Sequence, residues 1–178
     1  MHSIFYDPLM TIDNMGQRYI IVKYLSWFHE YLQWKDEEDV NPTNLPPPQM
    51  RAIVFGIAGS GKSAIIGILE TIVRMATTIN SSTLTFAPTG AAALAAGGIV
   101  PDSEWRFSRS AATCMPLKDG LQVRQLQSKY KNTVLVLNDE MSMEGRKFGG
   151  HLSGRAKEIF NMSQFQNLSM GGVPAQSS

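Results

Sequence analysis

One eight-residue stretch, GIAGSGKS at residues 56–63, combines glycines with a lysine and a hydroxyl side chain at a fixed spacing. It fits the pattern G-x-x-x-x-G-K-[ST], in which the glycines let backbone N–H groups curl inward toward phosphate oxygens. Lys62 would reach the β- and γ-phosphates of a nucleoside triphosphate, and the Ser63 hydroxyl would bind Mg²⁺. A glycine-rich turn without a ligand is the alternative interpretation. The predicted phosphate-binding residues are Gly56, Ala58, Gly59, Ser60, Gly61, Lys62 and Ser63.

A pair of acidic residues, Asp139 and Glu140, forms the second candidate site. The pair directly follows the apolar stretch VLVLN, which is typical of a buried strand. Asp139 would hold Mg²⁺, usually through water, and Glu140 would orient and deprotonate an attacking water. Two adjacent acids favour hydrolysis over transfer of phosphate to a second substrate. Taken alone, such a pair is equally typical of a surface turn, so the functional interpretation depends on the glycine loop upstream.

Composition indicates a globular chain with one core. The chain has 178 residues, of which 43% are hydrophobic and 17% charged, and no apolar run approaches the roughly 18 residues of a membrane helix. The N-terminal stretch MHSIFYDPLMTIDN lacks Lys and Arg, which argues against a secretory or mitochondrial leader. The single cysteine, Cys114, excludes an internal disulfide and fits a reducing compartment. A zinc site is not expected, because the three histidines are far apart in the sequence.

Charge is unevenly distributed along the chain. The formal net charge is +1, but acidic residues predominate in residues 1–50 and basic residues in residues 51–178. The basic part is compatible with a phosphate-bearing partner, and scattered solvated charges are the simpler alternative.

Strands and helices alternate along the sequence. Residues 14–34 predict an amphipathic helix with Asn14 as its N-cap, followed by a proline-rich loop. The aromatic residues of this helix are expected to be core rather than base-stacking groups. Residues 97–120 and the tail SMGGVPAQSS are predicted to be irregular. The remaining predictions are the strands RAIVFG, TLTFA and TVLVLN and the helices GKSAIIGILETIVRMATTI, AAALAA, GLQVRQLQSKY and, more weakly, residues 143–162. This alternation predicts an α/β fold with a mainly parallel sheet.

Three segments carry a resemblance to a known family. GIAGSGKS, TFAPTGAAALAAGG and VLVLNDEMSM resemble, in this order, motifs I, Ia and II of superfamily-one DNA helicases of the PIF-one and RecD-like group, including Helitron-type helicase domains. APTGAAA and DEMSM are the informative parts, because many P-loop proteins carry GKS alone. The resemblance covers roughly residues 14–174. It implies a P-loop NTPase sheet of the RecA-like class with flanking helices, ATP and Mg²⁺ as cofactors, and single-stranded DNA as a partner.

The resemblance also assigns three residues outside the loop and the acidic pair. The family's Ia segment touches the backbone of single-stranded DNA, which makes Thr89 and Gly90 candidate DNA contacts. A hydroxyl and a residue without a side chain suit close approach to phosphate, although an ordinary strand-to-helix turn has the same composition. The segment NMGQRYIIV resembles the family's adenine-side segment, which makes Gln17 the candidate reader of the base. An exposed glutamine near a helix start is the alternative for Gln17.

The sequence departs from the family pattern at three places. After Gly98 the family usually has a T-x-H-x element, whereas this chain reads IVPDSEWRFSRS, without a histidine. Asn138 precedes the acidic pair where an apolar residue is usual. LSMGGVP at residues 168–174 resembles the segment that leads into a further, central strand and the third motif, but here AQSS follows. We therefore expect an incomplete C-terminal end, an unfilled slot between the strands RAIVF and TVLVL, and marginal or partner-dependent stability.

These observations predict two parts and one main function. Residues 1–50 form an N-terminal helix and proline-rich loop on the adenine side, and residues 51–178 form a partial motor domain with motifs I, Ia and II only. The resemblance implies a fragment of an ATP-dependent DNA helicase that hydrolyses ATP but does not unwind DNA alone, since a second motor domain or a partner chain is required. Alternatives are a complete small P-loop kinase or NTPase and a non-catalytic remnant. The resemblance further associates the chain with DNA repair, recombination, telomere maintenance and a nuclear location.

Overall fold

A computed structural model describes residues 14–38, 41, 44–57, 59–110, 116–117, 119–139, 145–160 and 175–177. Within these ranges, helices flank one sheet. In chain order the elements are α1 (Met15–Glu37), β1 (Arg51–Ile53), α2 (Lys62–Thr77), β2 (Thr83–Phe86), α3 (Gly90–Ala95), α4 (Pro101–Glu104), α5 (Gly120–Tyr130), β3 (Leu135–Asn138), α6 (Arg146–Ile159) and β4 (Ala175–Ser177), with a short 3₁₀ turn at Asn80–Ser82. No helix in the described ranges is long and apolar enough to cross a membrane.

The sheet is parallel throughout, with the strand order β1-β4-β3-β2. Strand β4 lies between β1 and β3, with Ala175 in register with both Arg51 and Val136. The expectation of an unfilled slot is therefore wrong, and the prediction of a loop is wrong for residues 175–177, the part of the tail that the structure describes. Strand pairing uses backbone N–H and C=O groups, so the residues AQS can complete the ladder although they carry no apolar pattern.

One face of the sheet is covered by α1 and α2. Helix α1 begins where predicted, with the Asn14 side chain accepting hydrogen bonds from the backbone N–H groups of Gly16 and Gln17, and it ends at Glu37 rather than Trp34. Its aromatic face belongs to the core, as expected. The buried residues of this core are Ile21, Tyr24 and Phe28 of α1, Ile65, Ile66, Leu69, Ile72 and Val73 of α2, and Leu135 and Leu137 of β3.

Two tryptophans of α1 fasten the proline-rich segment that leads into β1. The indole N–H of Trp27 donates to the carbonyl of Pro48 at 2.7 Å, and that of Trp34 donates to the carbonyl of Asn44 at 3.0 Å. These bonds satisfy the indole groups while their rings pack against neighbouring aromatic rings of the helix. They hold the segment against the helix despite its lack of secondary structure.

The other face of the sheet carries a second core built on β2 and β3. Trp105 is fully buried and meets the ring of Phe86 edge-on, with 4.6 Å between the ring centroids. The members of this core are Leu84, Phe86, Trp105, Phe107, Leu126, Tyr130, Val136, Phe148, Leu152, Ala156, Ile159 and Phe160. Strand β3 is buried on both faces, as predicted from its apolar run. Burial on both faces was also expected for β1, but this expectation is wrong, because Ile53 in this edge strand is 54% exposed.

The segment predicted as irregular covers the open edge of β2. Ile99 pairs with Phe86 in a single parallel bridge, donating its N–H to Thr85 and accepting from Ala87. The short helix α4 follows directly, and no repeat of apolar residues in the sequence predicts it. The Thr85 carbonyl and the Ala87 N–H at this sheet edge are therefore paired although no full strand lies beside it.

Candidate functional site: the glycine loop and its cleft

The glycine loop connects the carboxyl end of β1 to the first turn of α2. Helix α2 begins at Lys62, with Gly61 as its N-cap residue. Gly59 and Gly61 have φ angles of +78° and +80°, in the left-handed region that favours glycine. The sequence thus encodes the curl of the loop at two positions where a side chain would strain the backbone.

Lys62 folds back across the loop. Its Nζ donates hydrogen bonds to the backbone carbonyls of Gly56 at 2.9 Å and Ile57 at 3.1 Å. The ammonium group is thereby held inside the curl, in front of the first turn of α2, where the helix dipole also favours an anion. Ser63 is the next residue of the helix and is exposed. A lysine ammonium, a helix start and a hydroxyl form the donor set that a triphosphate with Mg²⁺ requires, so these residues fit the cofactors that the sequence implies.

Gln17 reaches the loop from α1. Its Nε2 donates to the backbone carbonyl of Ser60 at 2.7 Å, and an added Cβ on Gly61 would meet the same nitrogen at 2.3 Å. Asn14 caps the helix turn that carries Gln17 and so fixes where this side chain starts. The sequence suggested Gln17 as a base-reading residue but gave no sign that it also supports the loop.

A cleft of about 340 Å³ lies beside the loop, between α2 and α3. It brings together Ser63 and Asp139, the two residues predicted to bind metal, from the start of α2 and the end of β3. The backbone N–H of Asp139 donates to the carbonyl of Phe86 at 2.9 Å, which fixes the end of β3 against β2. The cleft is lined by Ser63, Ile66, Gly67, Glu70, Ala92, Ala95, Ala96 and Asp139. The predicted residues Ala58 and Glu140 lie outside the described residues.

The cleft offers a small set of oxygen donors for a metal ion. Within the described ranges, no group of three or more His, Cys, Asp or Glu side chains lies together as a ready-made metal cluster. The Ser63 hydroxyl and the Asp139 carboxylate supply oxygen donors, which suits Mg²⁺, an ion that is usually held by few protein groups together with phosphates and water.

Glu70 is a cleft residue that the sequence did not single out. Its carboxylate accepts a hydrogen bond from the Thr85 hydroxyl and lies 3.6 Å from the guanidinium of Arg74, whose Nε donates to the Thr83 hydroxyl at 3.0 Å. These contacts tie α2 to the polar face of β2. The sequence did contain a signal for Glu70. It lies seven residues after Ser63 in α2, and residues i and i+7 share one face of a helix, so both side chains are expected on the same side.

Thr89 and Gly90 lie at the turn between β2 and α3. The Thr89 Oγ1 caps α3 by accepting from the backbone N–H of Ala92 at 3.2 Å. Both residues are exposed, and among the described residues an added Cβ on Gly90 would meet no atom within 4 Å. The chain's own packing therefore leaves open space at Gly90. Helix α3, which starts at this turn, also lines the cleft through its alanines.

The sequence profile of the PIF1-like helicase family matches residues 48–174, which span the loop, the turn at Thr89 and the acidic strand end. The chain belongs to the PIF1-like helicase family. The resemblance inferred from the three motifs is thereby confirmed. No curated protein sequence matches the chain at a significant level.

Solved structures of Pif1 helicases share the fold at low sequence identity. The chain matches Candida albicans Pif1 with a TM-score of 0.58 and 19% identity, covering 93% of this chain and 32% of that one. It matches Bacteroides Pif1 in complex with ADP-AlF4 with a TM-score of 0.55 and 18% identity, covering 94% of this chain and 32% of that one. It matches Bacteroides Pif1 bound to ssDNA with a TM-score of 0.51 and 20% identity, covering 73% of this chain and 28% of that one. The predicted α/β P-loop fold is thus confirmed, and the chain spans about a third of the length of these relatives.

Proposed function

We propose that this chain binds Mg·ATP through residues 56–63 and serves as the nucleotide-binding part of a PIF1-like DNA helicase motor. The observation that carries the proposal is the position of Lys62, the first residue of α2, whose ammonium folds back onto the carbonyls of Gly56 and Ile57 in the loop. Family membership supports the same role, as does a nucleotide analogue bound to Bacteroides Pif1.

The roles of the residues follow from their chemistry. Lys62 would leave the carbonyls of Gly56 and Ile57 to pair with the β- and γ-phosphates. Ser63 and Asp139 would hold Mg²⁺, which supplies charge neutralisation on the phosphates. Glu140 is the residue that would orient and deprotonate the attacking water. These assignments together describe an ATP hydrolase site.

Gln17 has a double role in this proposal. Its Nε2 supports the loop through the Ser60 carbonyl, while its Oε1 is an acceptor suited to the exocyclic amino group of adenine. A glutamine joined to the loop by one end of its amide would couple base recognition to the conformation that receives the phosphates.

The second part of the proposal is a contact with single-stranded DNA at Thr89 and Gly90. The Thr89 hydroxyl uses a lone pair for the Ala92 N–H and retains its own O–H for donation to a phosphate oxygen. The open space at Gly90 allows a sugar-phosphate backbone to approach closely. A structure of Bacteroides Pif1 bound to ssDNA supports single-stranded DNA as a partner, and the position of the contact rests on the turn itself. Unwinding is not expected from this chain alone, because it requires a second motor domain or a partner chain.

The helicase proposal is favoured over a stand-alone kinase by the family match, which includes the APTG turn and the acidic strand end. Roles in DNA repair, recombination and telomere maintenance, and a nuclear location, stay predictions from the resemblance. The non-catalytic remnant is separated from an active motor by the experiment below.

The test is nucleotide binding by the full chain and its Lys62→Ala variant. A fluorescent ATP analogue with Mg²⁺ should bind the wild type, and a non-hydrolysable analogue should raise its unfolding temperature, because ligand binding to the folded state stabilises it. Lys62→Ala should lose both effects while it keeps a cooperative transition without ligand, at a temperature slightly lowered by the loss of its two exposed hydrogen bonds. Lys131→Ala is the matched control, since Lys131 is an exposed lysine after α5. Unchanged affinity in Lys62→Ala would contradict the proposal, and a wild type without a cooperative transition would favour the remnant.

A further inference from the structure

Arg109 joins three segments of the chain at one guanidinium group. Its Nη2 donates to the backbone carbonyl of Pro88 at 2.7 Å and to the Asp102 carboxylate at 2.8 Å. The same group stacks over the ring of Phe148, with 4.8 Å from the guanidinium carbon to the ring centroid. The contacts connect the turn after β2, helix α4 and helix α6.

The Pro88 carbonyl is directly linked to the proposed DNA contact. This C=O and the N–H of Thr89 belong to one planar peptide unit, so a hydrogen bond to the carbonyl fixes the plane from which Thr89 starts. Thr89 in turn caps α3, and Gly90 is the first residue of that helix. Arg109 therefore contacts the peptide unit from which the turn starts without itself being part of the turn.

The charge of Arg109 is balanced within the structure. Asp102 pairs with it, and the guanidinium hydrogen bond lowers the pKa of that carboxyl below its ordinary value. The carboxylate comes from the segment after Gly98, where the sequence lacks the histidine of the family pattern. An arginine that is paired with a carboxylate, bonded to a backbone carbonyl and stacked on a ring is better suited to fixing geometry than to supplying free positive charge.

We propose that Arg109, held by Asp102 and Phe148, is a positioning residue that keeps the Thr89–Gly90 turn in the orientation that receives single-stranded DNA. This inference rests on the DNA contact proposed above. Asp102 acts through Arg109, and neither side chain needs to touch the nucleic acid.

Two variants separate positioning from charge, because their electrostatic effects have opposite signs. Asp102→Asn removes a negative charge, so simple electrostatics predicts tighter DNA binding, whereas loss of positioning predicts weaker binding. Arg109→Ala should also weaken binding, by about tenfold if one charge-assisted hydrogen bond orients the turn. Arg109→Lys should recover only part of the affinity, since an ammonium cannot reproduce the planar geometry of the guanidinium.

The measurement is fluorescence anisotropy of a labelled oligothymidylate with the full chain and Mg²⁺-ATP analogue, over a range of salt concentrations. Weaker binding of both Arg109→Ala and Asp102→Asn with an unchanged salt slope is the expected result. Arg124→Ala is the control for a general loss of positive charge, since Arg124 is exposed on α5. Thermal unfolding of each variant identifies any loss of fold, in which case Asp102→Asn and Arg109→Lys carry the test.

Three results would overturn the inference. Binding of Asp102→Asn as tight as that of the wild type, or tighter, would exclude positioning through this pair. A drop in the salt slope of about 0.7 in Arg109→Ala would make Arg109 a direct phosphate ligand instead. If the wild type binds no oligonucleotide, both the proposed DNA contact and the positioning role of Arg109 are refuted. If the wild type binds and the variants bind equally well, only the positioning role is refuted.

Discussion

Replacement of the two left-handed glycines of the loop by alanine should have unequal effects, although their backbone angles are nearly the same. Gly59 and Gly61 have φ angles of +78° and +80°, so alanine pays a similar backbone penalty of about 1–2 kcal/mol at each position. Around Gly59 an added Cβ meets no atom of the part of the chain that the structure describes within 4 Å. At Gly61 it meets Nε2 of Gln17 at 2.3 Å. Gly59→Ala is therefore a matched control for Gly61→Ala.

The extra cost at Gly61 comes from a hydrogen bond rather than from a hard collision. Nε2 is the far end of a flexible side chain and can move away, but it then loses its 2.7 Å bond to the Ser60 carbonyl. A partly buried hydrogen bond of this kind contributes about 0.5–1.5 kcal/mol. Gly61→Ala should thus lower the free energy of unfolding by about 1.5–3.5 kcal/mol, against about 1–2 kcal/mol for Gly59→Ala.

Denaturant unfolding of four variants tests this reasoning. Both glycine variants are measured in the wild-type background and in Gln17→Ala, in which the bond to Ser60 is already absent. The difference between the two glycine variants should disappear in the Gln17→Ala background, because the double-mutant cycle isolates the shared contact. Equal destabilisation of the two variants in the wild type would refute the reasoning. A difference that persists without Gln17 would equally show that another neighbour of Gly61 is responsible.

Two further predictions concern the core and the pH dependence of stability. Leu69→Ala should cost about 2–5 kcal/mol in the free energy of unfolding, since Leu69 is fully buried between α2 and the sheet, whereas Leu94→Ala on the exposed side of α3 should cost almost nothing. Similar midpoints of denaturation for the two would contradict the packing described here. The hydrogen bond from Arg109 holds the pKa of Asp102 below its ordinary value of 3.8, so its contribution to stability is present above that value and is lost as the pH falls through the lowered pKa. The wild type should therefore be more stable than Asp102→Asn at pH 6, with the difference fading below a pH of about 4, and a difference independent of pH would disprove this.

The elements that the sequence predicted are those whose side chains repeat at a fixed spacing. The apolar face of α1 and the buried run of β3 are each specified locally, and both were found close to their predicted places. The glycine loop was equally predictable, because the positive φ angles of Gly59 and Gly61 allow few other residues. These features depend on neighbours in the sequence.

The features that were missed depend on contacts between distant residues. Strand β4 has a polar sequence and becomes a strand because β1 and β3 present backbone groups on both sides of it. Helix α4 is too short for any periodicity to be counted. The contact of Gln17 with Ser60 joins two elements, and a sequence shows only that an amide is available, not where it points.

The sequence predicted the candidate phosphate and metal ligands of the site but not the residues that hold the surrounding elements in place. Lys62, Ser63 and Asp139 were all identified from their residue types, and the structure places Ser63 and Asp139 at one cleft. Glu70 and Arg109 were not identified, because a charged residue on a helix or in a loop is most often solvated. Their partners, Thr85 for Glu70 and the Pro88 carbonyl for Arg109, become visible only when the strands are assembled.

The position of β4 has a consequence for how the chain folds. The pairing of β2 with β3, which joins Thr83 to Leu135, can be made together with the core that α5 and α6 form on these strands. By contrast, β1 can join the sheet only after β4 is in place, because its partner in the sheet is β4 and Arg51 pairs with Ala175, far along the chain. Closing so long a loop is entropically costly and slow, so the half of the sheet that carries the glycine loop is expected to assemble last. During synthesis, the edge that carries the glycine loop would therefore remain open until nearly all of these residues have left the ribosome. An early intermediate would expose the unpaired edge of β3 to other chains.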